Sequence, residues 1–170
     1  MKYLTLLSFV LILVSSCHKG DKRLEPFRWP VISADVDSLT LQLEYAFNDY
    51  QPTDSLRAMV SAFEKLAAGT DSSDIRSLRL NYWRGRMFQR QDMVDSAVRV
   101  VGRALAVTDL VRFPYEFFRL RALYRQIGRM RGAQSYRDVD EEARFYAQLG
   151  DAPMVAASYI NMGTSLYLIG

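Results

Sequence analysis

The stretch "LRLNYWRGRMFQRQDMVDSAVRVVGRAL", residues 78–105, decides the fold. A small residue, Gly85, and an aromatic residue, Phe88, are followed by two alanines seven positions apart, Ala97 and Ala104. Small side chains on two helices let their backbones approach closely, while aromatic rings fill the space beside the contact. The stretch therefore predicts a helical hairpin.

The same arrangement recurs on both sides of this hairpin. From Val36 onward apolar residues recur at spacings of three and four, and no alternating strand pattern occurs. Short breaks separate the apolar segments, at "QPTD", "AGTDSSD", "TDLVRFP" and "LGDAP". Such short connections predict an all-α fold whose consecutive helices pack as antiparallel neighbours. The later copies of the pattern use Leu120, Tyr124, Gly128 and Ala133, then Tyr159, Met162, Gly163 and Gly170, and a weaker earlier copy runs from Leu39 to Leu66.

On these residues the chain resembles the tetratricopeptide repeat family over about residues 36–170. The resemblance implies an α-solenoid of antiparallel helix pairs, with about three repeats plus the first helix of another. Gly163 would then provide a close helix contact like that at Gly85. The pattern departs from the family at Asn81 and Arg84, where Trp and Leu are usual. A non-repeating helical bundle is the alternative.

The resemblance also implies a groove lined by the first helix of each repeat. Arginine and aromatic side chains dominate the implied positions, and this chemistry suits a protein or peptide partner with acidic or aromatic side chains. Arg86, Arg90 and Arg125 could converge on one partner carboxylate. The alternative is that these arginines keep the surface soluble and pair with acids on the next repeat. The predicted partner-binding residues are Arg79, Tyr82, Arg86, Arg90, Phe118, Arg119 and Arg125.

Residues 1–17 predict export and lipid attachment. Lys2 precedes an apolar run that is too short to span a bilayer as a helix, which is typical of a signal peptide. The run ends in "VSSC", which resembles the lipobox of bacterial lipoproteins and implies cleavage before Cys17 and acylation of that residue. An ordinary signal peptide with a chance cysteine is the alternative. Residues 18–35 are expected to form an extended tether, although Phe27 and Trp29 could instead cap the first helix.

The remaining chemistry is restricted. Cys17 and His18 are the only cysteine and the only histidine of the chain, so the repeat region has no thiol or imidazole for catalysis or zinc binding. The sequence predicts neither an enzyme nor a cofactor or metal site. The acidic run "DVDEE", residues 138–142, is expected to be a solvated helix face, and "DSSD", residues 71–74, a helix N-cap. The net charge of +3 does not favour nucleic-acid binding.

Together these features predict a lipid-anchored domain of the cell envelope that faces the periplasm and binds a protein or peptide. The alternative is the periplasmic sensor half of a membrane-spanning transcription regulator, by resemblance to regulators of Bacteroidetes-type bacteria. The closing stretch "ASYINMGTSLYLIG" resembles a first repeat helix without its partner. We therefore expect the repeat array to be cut within its last repeat.

Overall fold

The computed structural model describes residues 31–128 and 133–169, and all of its regular structure is helical. The all-α prediction is confirmed for these residues. The described part contains seven helices, α1 Ala34–Asn48, α2 Thr53–Leu66, α3 Ile75–Arg90, α4 Val94–Val107, α5 Pro114–Gly128, α6 Ala133–Gln148 and α7 Ala152–Ile169.

The four predicted breaks overlap four connections between helices, while the connections after α3 and after α5 have no predicted break. Asp74 is the N-cap of α3, and its carboxylate accepts a hydrogen bond from the backbone N–H of Arg76 at 2.9 Å. The N-cap prediction for residues 71–74 is therefore confirmed. The tight turn between α3 and α4 contains Asp92 with φ of 57°, a left-handed conformation that aspartate tolerates better than most residues.

The helices pack in sequential pairs, in an antiparallel-like arrangement. Each helix contacts the next one along the chain, and α1 also contacts α3 while α3 contacts α5. The first, third and fifth helices are therefore neighbours on one side of the domain. This side contains the positions that the sequence predicts to bind a partner.

Gly85 sits where α3 crosses α4. A Cβ at this position would overlap Cγ2 of Val101 and lie 3.2 Å from Cδ2 of Leu123. The close approach predicted at Gly85 is confirmed. The corresponding expectation for Gly163 is wrong, because a Cβ there would have no described atom within 4 Å. Gly163 is in α7, and no described helix crosses it closely.

Two groups of buried side chains form the core. The larger group joins α1 to α5 and includes Trp83, which is fully buried and stacks on Phe47 at 5.5 Å. The smaller group contains Tyr115 and Phe118 of α5 and Tyr146 of α6, and Met154 and Val155 of α7 pack against it. Helix α5 contributes to both, so it links the two ends of the domain.

The predicted signal peptide, the lipobox with Cys17 and most of the predicted tether lie outside the described residues. Helix α1 begins at Ala34, and Ile32 just before it packs on the core. Within the described residues, no helix is both long enough and apolar enough to cross a membrane.

Candidate functional site

The seven predicted partner-binding residues lie on α3 and α5, and they differ in exposure. Arg86 and Arg90 are half-buried. The other five are buried, namely Arg79, Tyr82, Phe118, Arg119 and Arg125. Helical periodicity alone does not separate these two groups, because both lie on the same predicted face.

Arg79 is fully buried and joins three helices. Its Nε donates to Glu116 of α5 at 3.0 Å, and its Nη1 donates to Asp37 of α1 at 3.2 Å. Burial raises the pKa of Glu116, and the guanidinium of Arg79 opposes that shift. The contacts of Arg79 with Glu116 and Asp37 hold α1, α3 and α5 together.

Arg119 connects α5 to α1, α3 and α7. Its Nη2 donates to Glu44 of α1 at 2.6 Å, and its guanidinium lies 4.6 Å from the ring centre of Tyr82. Its Nη1 approaches the sulfur of Met154 in α7 at 3.2 Å. Burial alone would lower the pKa of Arg119, but Tyr82 and Glu44 raise it, so the guanidinium stays charged.

Arg125 pairs with an acid of α6. Its Nη2 donates to Glu142 at 2.6 Å, and the hydroxyl of Ser158 donates to the other oxygen of Glu142 at 3.1 Å. The glutamate side chain is only 1% exposed. The expectation that residues 138–142 form a solvated face is therefore wrong at Glu142, because that residue faces α5 and α7.

Phe118 is packed between aromatic rings. It stacks on Phe145 of α6 with ring centres 4.4 Å apart, and the guanidinium of Arg121 lies 4.8 Å from the ring centre of Phe118. The backbones of α5 and α6 approach each other at few places, so these large side chains span the distance between them. In the described structure Phe118 acts as a core residue.

Arg86 and Arg90 are arranged differently. The guanidinium of Arg86 lies 4.9 Å from the ring centre of Phe47, and that of Arg90 lies 5.5 Å from the ring centre of Tyr50. Neither forms an ion pair with a carboxylate of the described residues. Together with Asn48 they line a cleft of about 500 Å³, whose full lining is Phe47, Asn48, Tyr50, Arg86, Gln89 and Arg90.

The predicted convergence of Arg86, Arg90 and Arg125 is not observed. Arg86 and Arg90 share a cleft, whereas Arg125 is held by Glu142 and does not line it. The alternative of pairing with acids on neighbouring helices describes Arg79, Arg119 and Arg125. Whether any of the seven residues binds a partner stays a prediction.

Sequence analysis missed the contribution of α1. Phe47 and Asn48 end this helix, Tyr50 lies in the turn that follows it, and Glu44 lies one turn earlier. The predicted groove positions lie only in the second and third repeats, and the weak first copy from Leu39 to Leu66 contributes none. The resemblance places the first helix of each repeat in the groove, so that weak copy is the sequence signal that points to α1.

The comparisons with known proteins add no assignment. Neither protein-family models nor curated proteins nor solved structures match this chain significantly. Among the described residues, no three histidine, cysteine or acidic side chains are grouped as a metal site would require.

Proposed function

We propose that this chain is an exported, lipid-anchored repeat domain that binds a protein or peptide partner. The cleft lined by Arg86 and Arg90 is the observation that supports this most directly. These two arginines have no internal carboxylate among the described residues, while Arg79, Arg119 and Arg125 each have one. A pair of unneutralised guanidinium groups in a cleft favours an acidic ligand.

The aromatic rings prepare the cleft for binding. Phe47 and Tyr50 hold the planes of the two guanidinium groups by cation–π contacts. An arginine that is already held loses less side-chain entropy when it binds a carboxylate. Tyr50 is 83% exposed, so its ring also offers a surface to an aromatic side chain of the partner.

The tetratricopeptide-like solenoid belongs to this proposal as its framework. The contacts of α1 with α3 and of α3 with α5 are those expected when first helices of successive repeats line one face. The close crossing at Gly85 agrees with the same arrangement. A repeat framework needs no catalytic group, and we propose binding without catalysis or a cofactor.

The lipid anchor and the periplasmic location are also part of the proposal. Their support is the sequence "VSSC", which ends at Cys17. Two or more acyl chains on one residue would hold the domain stably at a membrane. The domain would then present the cleft to partners in the cell envelope.

A peptide titration tests the binding site. The probe is fluorescein-labelled hexaglutamate, and its anisotropy is followed with the full chain at low salt. We expect Arg86→Ala and Arg90→Ala each to weaken binding roughly tenfold or more, since a shielded charge-assisted contact contributes about 1.5 to 3 kcal/mol. The thermal midpoint should move by only a few degrees, because both side chains are half-exposed.

Arg99→Ala is the matched control. Arg99 is an exposed arginine of α4 outside the cleft, so its removal changes the net charge by the same amount. The control should change affinity less than twofold. An equal loss at Arg99 and at the two cleft arginines would mean that hexaglutamate follows overall charge, and the proposed site would be abandoned.

A further inference from the structure

Three arginine–glutamate pairs join the helices of the domain, and they differ in how much of the glutamate side chain is exposed to water. The side chains of Glu116 and Glu142 are 2% and 1% exposed, whereas that of Glu44 is 25% exposed. The arginines of all three pairs are nearly inaccessible. Glu44 is therefore the acid of these three that can turn towards solvent without burying an unpaired negative charge.

The position of Arg119 does not depend on Glu44 alone. The ring of Tyr82 lies against one face of the guanidinium at 4.6 Å, and the sulfur of Met154 lies 3.2 Å from Nη1. These contacts come from α3 and α7, while Glu44 comes from α1. If Glu44 turned away, the guanidinium would still be held where a second carboxylate could meet it.

Asp151 limits the charge imbalance that such an exchange would create. This residue is 2% exposed, and its Oδ1 accepts from the backbone N–H of Met154 at 3.1 Å. Its Oδ2 has no hydrogen-bond partner among the described residues. Asp151 interacts electrostatically with both Arg119 and Glu44, so an ionised Asp151 compensates part of the positive charge when Glu44 leaves.

The pair is continuous with the arginine cleft. Asn48 lines the cleft, and its Nδ2 donates to Oε1 of Glu44 at 3.4 Å. Residues four apart on a helix lie about 5 to 6 Å from each other. The edge of the cleft at Asn48 is therefore about one helical turn from Glu44.

We propose that Arg119 is a second acid-binding position, which Glu44 occupies as an internal stand-in until a carboxylate of the partner displaces it. The inference rests on the proposed function and specifies its ligand. The partner segment carries at least two carboxylates, one for Arg86 and Arg90 and one for Arg119. Binding of the second carboxylate releases the link between α1 and α5.

The test compares hexaglutamate binding by the full chain and by Glu44→Gln. Removing the internal competitor should tighten binding roughly ten- to hundredfold, the value of one charge-assisted contact. Glu64→Gln is the matched control, because Glu64 also pairs with an arginine of α3, at 2.8 Å, but both partners are about 40% exposed. It makes the same charge change and should alter affinity less than twofold.

Two further variants connect the gain to Arg119. The gain of Glu44→Gln should disappear when Arg119→Met is added, since the second position is then absent. If Glu44→Gln does not fold, Glu44→Asp weakens the same pair by shortening the side chain, and it should give a smaller gain of the same sign.

The outcomes separate this inference from the proposed function. If the unaltered chain binds hexaglutamate through Arg86, but weakening the Glu44 pair brings no gain, the displacement is wrong and the cleft stands. An equal gain in Glu64→Gln would also overturn the displacement. If neither the unaltered chain nor the Glu44 variants bind, both proposals fall.

Discussion

The crossing of α3 and α4 at Gly85 leads to the sharpest prediction about the fold. Replacing Gly85 with alanine adds a Cβ that would overlap Cγ2 of Val101, a fully buried β-branched side chain that has little freedom to move. The helices must separate or Val101 must leave its preferred rotamer. We expect Gly85→Ala to destabilise the domain even though alanine is the better helix former.

The magnitude follows from two opposing effects. Alanine stabilises a helix interior by about 0.8 to 1.0 kcal/mol relative to glycine. Overpacking a core by one methyl group costs about 1 to 3 kcal/mol. Gly163→Ala is the matched control, because it receives the same helix gain but its Cβ meets no described atom within 4 Å. The two variants should therefore differ by about 1 to 3 kcal/mol in the free energy of unfolding, the overpacking alone.

Urea unfolding followed by far-UV circular dichroism measures both values. A double-mutant cycle then connects the loss to Val101. In Gly85→Ala/Val101→Ala the new methyl group occupies the space left by the valine, so the combined loss should be smaller than the sum by at least about 1 kcal/mol. Additive losses, or a Gly85→Ala variant as stable as Gly163→Ala, would refute the close crossing.

Three more predictions concern the anchor and the buried charges. Cys17→Ser should abolish palmitate incorporation and release the chain from the membrane fraction, and unchanged labelling would rule out the lipoprotein assignment. Glu142→Gln should lower the free energy of unfolding by about 3 to 5 kcal/mol, because it leaves Arg125 buried beside a neutral group. The exposed pair of Glu64 should matter less, so Glu64→Gln should lower the free energy of unfolding by about 1 kcal/mol or less. Similar losses in the two variants would contradict the difference in burial. Burial raises the pKa of Asp151 above its usual range, so its favourable contribution is full below the unfolded pKa and is lost as the pH rises through the folded pKa. Asp151→Asn should therefore gain stability relative to the unaltered chain as the pH rises from about 3, below the usual aspartate pKa, through the folded pKa, and urea titrations that show a constant difference would contradict this.

The local features of the fold could be predicted from the sequence. The cap at Asp74 depends on a hydrogen bond to a residue only two positions away. The close contact at Gly85 depends on the absence of a side chain, which the sequence shows directly. Gly163 has the same spacing as Gly85, but a close contact also requires a second helix at that place. Spacing specifies the position on one helix and not the presence of its neighbour.

The candidate site was less predictable because its charges pair over long distances. Arg119 and Glu44 are 75 positions apart, and Arg79 and Glu116 are 37 positions apart. Helical periodicity does not distinguish an arginine that pairs with a carboxylate of another helix from an arginine that has no such partner. The same limit explains Glu142, which belongs to a strongly acidic run but turns inward to meet Arg125.

Arginine side-chain NMR spectra, recorded while hexaglutamate is added to the full chain, test the central claim most directly. The Nε–Hε resonances report each guanidinium separately, so they show which arginines the acidic ligand reaches. The account predicts that the resonances of Arg86 and Arg90 shift to saturation while that of Arg125, held by Glu142, stays in place. Unmoved resonances of Arg86 and Arg90, or shifts of the same size at the exposed Arg99, would contradict a partner-binding cleft.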